Sequence, residues 1–296
     1  MKSWKIGAIA GLIAGLVMGI IYSVFVNVAV SIGLHETYWR PIITKTLEIE
    51  ILINIIFGLI LGVIFSKVYE VIPGKNILKG FYFGLIIFLI TPFRMATSVI
   101  SFGYFLFAIG LVFQGFFTWI AYGLVLGALY RFLYNRYVIE KRMRIITYDM
   151  KSGAHPGAIA GIADGLASSI VSIIGPALGL WMIPGYPKTV TFDFWMSQAG
   201  SHFLFNLIWG TIFGLIFAHV YNLVPGRGVM KGLIYSLIIY LITTFQIAVH
   251  FLGYTTVPSA WELSINSSLQ LFLVGFFGTG VAYGLALGAL YRKPTK

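Results

Sequence analysis

Long apolar runs separated by short polar segments succeed one another along the whole chain. They lie at about 6–33, 46–69, 77–101 and 104–130, and again at 157–182, 195–221, 229–252 and 268–291. As a helix, each is long enough to cross a hydrocarbon core of roughly 30 Å. The pattern predicts an all-α integral membrane protein with eight transmembrane helices. The N-terminal residues Met1-Lys2-Ser3-Trp4-Lys5 precede a run of about 28 apolar residues that is too long for a signal-peptide core and lacks a small-x-small cleavage pattern, so it reads as a retained first span.

The order of polar and small positions repeats. Gly7-Ala8-Ile9-Ala10-Gly11 returns as Gly157-Ala158-Ile159-Ala160-Gly161, and Asn54, Gly58, Gly62 and Tyr69 return as Asn206, Gly210, Gly214 and Tyr221. Ile72-Pro73-Gly74-Lys75 returns as Val224-Pro225-Gly226-Arg227, and Ala121-Tyr122-Gly123-Leu124 as Ala282-Tyr283-Gly284-Leu285. Four blocks in the same order indicate a duplication. The expected organisation is a four-helix repeat over 1–134, a basic linker over 135–156 and a second four-helix repeat over 157–296. Four spans per repeat return the chain to its starting side, so the repeats are expected to be parallel, with a pseudo-two-fold axis along the membrane normal.

Composition agrees with the pattern. The chain is 59% hydrophobic and 10% charged, against about a quarter charged in soluble domains. That leaves no room for a separate soluble domain. The net charge of +11 raises nucleic acid as a partner, but the basic residues stand in short loops beside apolar spans. They mark orientation, and nucleic acid is set aside. Lys2, Lys5, Lys67, Lys75, Lys79, the linker cations from Arg131 to Lys151, Arg227, Lys231, Arg292, Lys293 and Lys296 fall on the side of the termini; Arg40, Lys45, Lys188 and Arg94 fall opposite. The asymmetry puts both termini in the cytoplasm of a cell-membrane protein. Trp39, Trp181, Trp195 and Trp261 suit an outer interfacial belt. Cysteine is absent, which excludes disulfides, thiolate metal sites and iron–sulfur clusters.

Cohesion is expected from small residues. Gly7, Gly11, Gly15 and Gly19 share one helical face, as do Gly157, Gly161, Gly165 and Ser169. Such a glycine zipper lets helices approach until backbones touch, which matters where lipid supplies no hydrophobic push.

Polar groups inside the spans are the candidate functional residues. Asp164 lies about 11 Å into the fifth span, with Ser168 and Ser172 one and two turns on, and Gly175-Pro176 beyond. The aligned block sets Ala14, Met18 and Tyr22 at those places in the first repeat. The three polar groups could bind a proton, a cation or a polar substrate, or serve only as an interhelical hydrogen bond. Glu50 and Arg94 fall at similar depth on neighbouring spans and are expected to pair; His202 and Gln246 stand at the equivalent places in the second repeat. Asn54 and Asn206, one turn deeper, are expected to make an interhelical bond or a polar constriction. His202 and His250 lack a third ligand, so no metal or haem site is read, and no cofactor is implied.

Nothing resembles a nucleotide loop, a zincin motif or a nucleophile–base set, so an enzyme acting on soluble substrates is not expected. Two functions lead, ahead of a third, an enzyme acting on a membrane-dissolved substrate. One is transport or permeation of a small solute or ion along the interface of the two repeats. The other is a non-transporting subunit that holds lipid, quinone or a partner protein in a larger assembly. Membrane lipids are the expected partners in both, with other membrane subunits or a homo-oligomer as candidates; the Lys141–Arg144 cluster could meet anionic headgroups.

Overall fold

The computed structural model describes residues 2–34, 47–101, 105–137, 149–177, 192–253 and 261–292, apart from side chains toward the ends of these stretches, among them those of 192–202, 250–253 and 261–264. Its described residues are helical apart from turns, and eight helices are long and apolar enough to cross a membrane. This is a multi-pass membrane architecture. Contacts group the described residues into two compact units, one within 1–144 and one within 145–296.

In the first unit, α1 (Ser3–Ser31) packs between α2 (Leu47–Val68) and α4 (Phe105–Tyr137). Helix α3 spans 77–101 and packs on α4; its α-helical pieces, Ile77–Phe88 and Arg94–Ser101, flank a π-helical turn, Leu89–Phe93. The sequence dictates an arrangement opposite to a soluble bundle. Along α1 the buried face is small, with Gly7, Ala10, Gly11, Ala14 and Gly15, while Ile9, Leu12, Ile13, Leu16 and Ile20 point outward. In lipid a large apolar side chain loses nothing by facing out, so the interior goes to residues that bring backbones together. A Cβ at Gly11 would meet the Gly58 carbonyl and lie within 3.0 Å of backbone atoms of Gly62. Helices α3 and α4 meet the same way, through Gly80 and Gly84 against Gly123 and Gly127. Across the bundle, the Tyr122 hydroxyl donates to the Gly58 carbonyl at 2.9 Å.

The second unit holds α5 (Ala154–Ala177), entered through a 3₁₀ turn at Met150–Gly153, then α6 (Phe192–Val220). Helix α7 spans 229–253, with a π turn at Leu241–Phe245, and α8 spans 261–290, with a π turn at Phe276–Ala282. Many contacts match those of the first unit. The Tyr283 hydroxyl donates to the Gly210 carbonyl at 2.9 Å. Lys231 donates to the Tyr221 carbonyl at 2.6 Å, as Lys79 does to that of Tyr69 at 2.5 Å, each cation also lying over the same tyrosine ring. These lysines satisfy a carbonyl left open where a helix ends. In the turns that follow, Gly74, Asn76, Gly226 and Gly228 take positive φ, where glycine or asparagine is tolerated.

Helix packing corrects the alignment of the first spans by one turn. Gly7 faces the Gly62 carbonyl and Ser66; the residue facing their counterparts, the Gly214 carbonyl and Ala218, is Gly153. Gly15 and Gly161 likewise face the carbonyls of Asn54 and Asn206. Gly7, Gly11, Gly15 and Gly19 therefore occupy the places of Gly153, Gly157, Gly161 and Gly165. A glycine every fourth residue looks the same after a one-turn slide, which is why the sequence blocks aligned one turn away.

Two boundaries also differ from the hydropathy reading. Helix α4 runs on to Tyr137, seven residues beyond the apolar run, so Arg131 and Arg136 belong to a helix. Helix α8 begins at Trp261, ahead of the expected 268.

Candidate functional site

In the corrected register Asp164 takes the place of Met18, Ser168 that of Tyr22 and Ser172 that of Val26. Met18 and Asp164 are both buried, so a thioether in one unit is a carboxylate in the other. In the first unit the α1/α4 seam is filled by rings. Phe25 stacks on Phe117 at 4.5 Å and meets Phe113 edge-on at 5.6 Å.

The matching α5/α8 seam is polar. Ser168 donates to Asp164 Oδ1 at 2.9 Å, and Thr279 on α8 donates to Oδ2 at 3.1 Å. Gly278 is pressed against the same pair, for a Cβ there would collide with Ser168 Oγ and Asp164 Oδ1. Both carboxylate oxygens accept hydrogen bonds, which suits the ionised form, and charge-assisted bonds of this kind are the strong ones. Ser172, two turns on from Asp164, is half-buried.

A one-residue insertion in α8 lies at this contact. Tyr122 and Tyr283 are counterparts 161 residues apart, since each bonds the matching carbonyl. Gly115 faces Pro92 and Phe88, and the residue facing their counterparts, Thr244 and Tyr240, is Gly275, which is 160 residues on. The extra residue falls between 275 and 283, where the first unit has unbroken α-helix and the second has the π turn. A π-bulge absorbs such an insertion by rotating one turn of helix, and bulges of this kind recur at functional sites. Gly278 and Thr279, which meet Asp164, lie within this widened turn.

Above this layer, Gln270 on α8 and Gln246 on α7 are both buried. The Gln270 amide lies where a Cβ on Gly175 would be. Counted through the bulge, the first unit has Gly110 at the Gln270 position and Ala29 at that of Gly175. Gln270 and Thr279 were not singled out from sequence. A glutamine near a span end and a threonine within one ordinarily bond their own helix or reach the interface, as Thr118 does in donating to Gln114 at 2.6 Å.

The remaining candidates lie elsewhere in the units. Asn54 is buried, and its amide donates to the Glu50 carbonyl at 2.7 Å, a bond within α2. Glu50 is buried on α2, and Arg94, half-buried, follows the π turn of α3 that contains Pro92. Asn206 is buried on α6. His202 belongs to α6, but its side chain lies outside the described ones, as does that of His250. Arg40, Lys45, Trp39, Trp181, Lys188 and the Lys141–Arg144 cluster also lie outside the described residues. Among the described residues, no three His, Asp or Glu side chains gather as a metal site. No family model, curated protein or solved structure matches the chain.

Proposed function

We propose that this protein carries or passes a small solute or ion across the membrane, with the α5/α8 seam as its binding layer. The observation that supports this reading is the Asp164 carboxylate: it is 3% exposed, held by two hydroxyls, and stands well inside an apolar span. A buried carboxylate costs several kcal/mol, on the order of 3 by membrane-insertion scales, and intramembrane acids mark ion or substrate paths. A contact serving cohesion alone has a cheaper solution in the same chain, the apolar rings of the α1/α4 seam.

The wider setting of this reading is two parallel four-helix repeats in the cell membrane, both termini cytoplasmic. The repeated sequence blocks, the matched Tyr122 and Tyr283 bonds and the one-sided distribution of Lys and Arg support it. The function would then reside where the repeats differ.

Flux into proteoliposomes, read with a panel of ion-sensitive dyes and labelled small solutes, tests the proposal. The wild type should support flux of at least one species, and Asp164→Asn should reduce it at least tenfold while eluting as a monodisperse protein. Full flux in Asp164→Asn would sink the assignment of the seam. Absence of any flux, with stable co-purification of other membrane proteins, would favour a non-transporting subunit.

A further inference from the structure

Helices α7 and α8 meet beside the widened turn of α8, and a serine hydroxyl occupies the contact. In the first unit Gly80 faces Gly123 and Gly127, and in the second Gly232 faces Gly284 and Gly288. One turn away, the proposed repeat sets Gly84 opposite Trp119 in the first unit and Ser236 opposite Gly280 in the second. Gly84 rests directly on the Trp119 carbonyl, for a Cβ there would collide with it. Ser236, fully buried, meets the matching carbonyl through its side chain instead. Its Oγ donates to the Gly280 carbonyl at 2.6 Å, with a longer approach of 2.9 Å to the Leu233 carbonyl on its own helix. Gly284 leaves room for this hydroxyl, since a Cβ there would meet Ser236 Oγ.

The Gly280 carbonyl belongs to the π turn of Phe276–Ala282. Gly115-Phe116-Phe117-Thr118-Trp119 reads against Gly275-Phe276-Phe277-Gly278-Thr279-Gly280, which makes Gly278 the extra residue and Thr118 and Thr279 counterparts. Their partners differ. Thr118 donates to the Gln114 carbonyl four residues back, the ordinary bond of a threonine within a helix, whereas Thr279 donates to Asp164 Oδ2 on α5. A π turn disturbs the ladder of amide-to-carbonyl bonds, and in lipid the disturbed groups are met by neighbouring helices and hydroxyl side chains. Ser236 is such a donor. Where α4 lacks the insertion, the matching place holds glycine and offers no hydroxyl.

We propose that Ser236 is a positioning residue for the α5/α8 seam: its bond to the Gly280 carbonyl holds the widened turn in the form that aims Thr279 at Asp164. A serine that only ties α7 to α8 would contribute independently of Thr279, whereas one that sets the turn is coupled to it. This deepens the transport reading and rests on it for the purpose of the seam, but the coupling is measurable without flux.

The test is a double-mutant cycle on the purified full-length protein in one detergent, read as Tm. Thr279→Val should lower Tm by several degrees in the wild-type background and by less than half as much in Ser236→Ala, where the threonine is no longer aimed. Tyr283→Phe, which removes the hydroxyl bond to the Gly210 carbonyl just beyond the turn, should cost the same in both backgrounds. Ser236→Gly, which installs the residue of the first unit, should repeat the result of Ser236→Ala and replaces it in the cycle if the alanine variant does not fold. Equal losses from Thr279→Val in both backgrounds, or a loss from Tyr283→Phe that shrinks as much as that from Thr279→Val, would overturn the proposal. Flux with additive losses would overturn it and leave transport standing; coupling without flux would leave it standing and sink transport.

Discussion

In the proposed repeat Asp164 and Met18 hold one position, and the pair isolates what a single carboxylate asks of its surroundings. Its second oxygen is served by Thr279 across the helix seam, whereas Thr118 donates within its own helix. Hydrogen bonds to charged groups contribute about 1.5–3 kcal/mol and neutral ones about 1. Thr279→Val should therefore lower stability by about 2 kcal/mol, and Thr118→Val by under about 1, compared by thermal melts in one detergent. Equal losses would mean that Asp164 is neutral or that its bond to Thr279 is weak. Asp164 and Ser168 were legible in the sequence because a polar side chain in an apolar run is conspicuous by itself. Gln270 and Thr279 were not, because hydroxyls and amides usually find a partner on their own helix, and the sequence does not say when they reach across.

The helices themselves were legible at the element scale, since length and continuous apolarity suffice to specify a span when lipid supplies no partner for the backbone. The π turns were not. One inserted residue changes neither composition nor hydropathy, and it emerges only when contacts on both sides of it are matched, as at Gly115 with Gly275 and Tyr122 with Tyr283. This gives the bulge a direct test. Deleting Phe277, whose exposed side chain faces outward, should restore α-helical geometry, rotate Thr279 off Asp164 and abolish flux, while the protein still folds as an α4-like span. Retained flux in that deletion would remove the bulge from the mechanism. The tight backbone contacts predict a different outcome. Gly58→Val places methyl groups against the backbone of Gly11 and Gly15 and should destabilise by about 3 kcal/mol or more, read as loss of monodisperse protein.

For the whole molecule, the membrane class follows from eight apolar helices, and the proposed sidedness from where the cations fall along the chain. Because the chain has no cysteine, single cysteines can be introduced into the otherwise unaltered protein. Lys2→Cys, Lys141→Cys and Lys293→Cys should resist an impermeant maleimide in intact cells and react after permeabilisation, while Lys188→Cys should react in both. Labelling of the first three in intact cells would invert the topology.

The central claim is that function resides in the polar seam of the second unit, where its counterpart in the first is filled with rings. The most direct measurement is solute flux in proteoliposomes of Asp164→Met, which installs the residue that the proposed repeat sets at the matching place in the first unit. Loss of flux from a protein that still elutes as the wild type does is the predicted result. Wild-type flux from Asp164→Met would contradict the account.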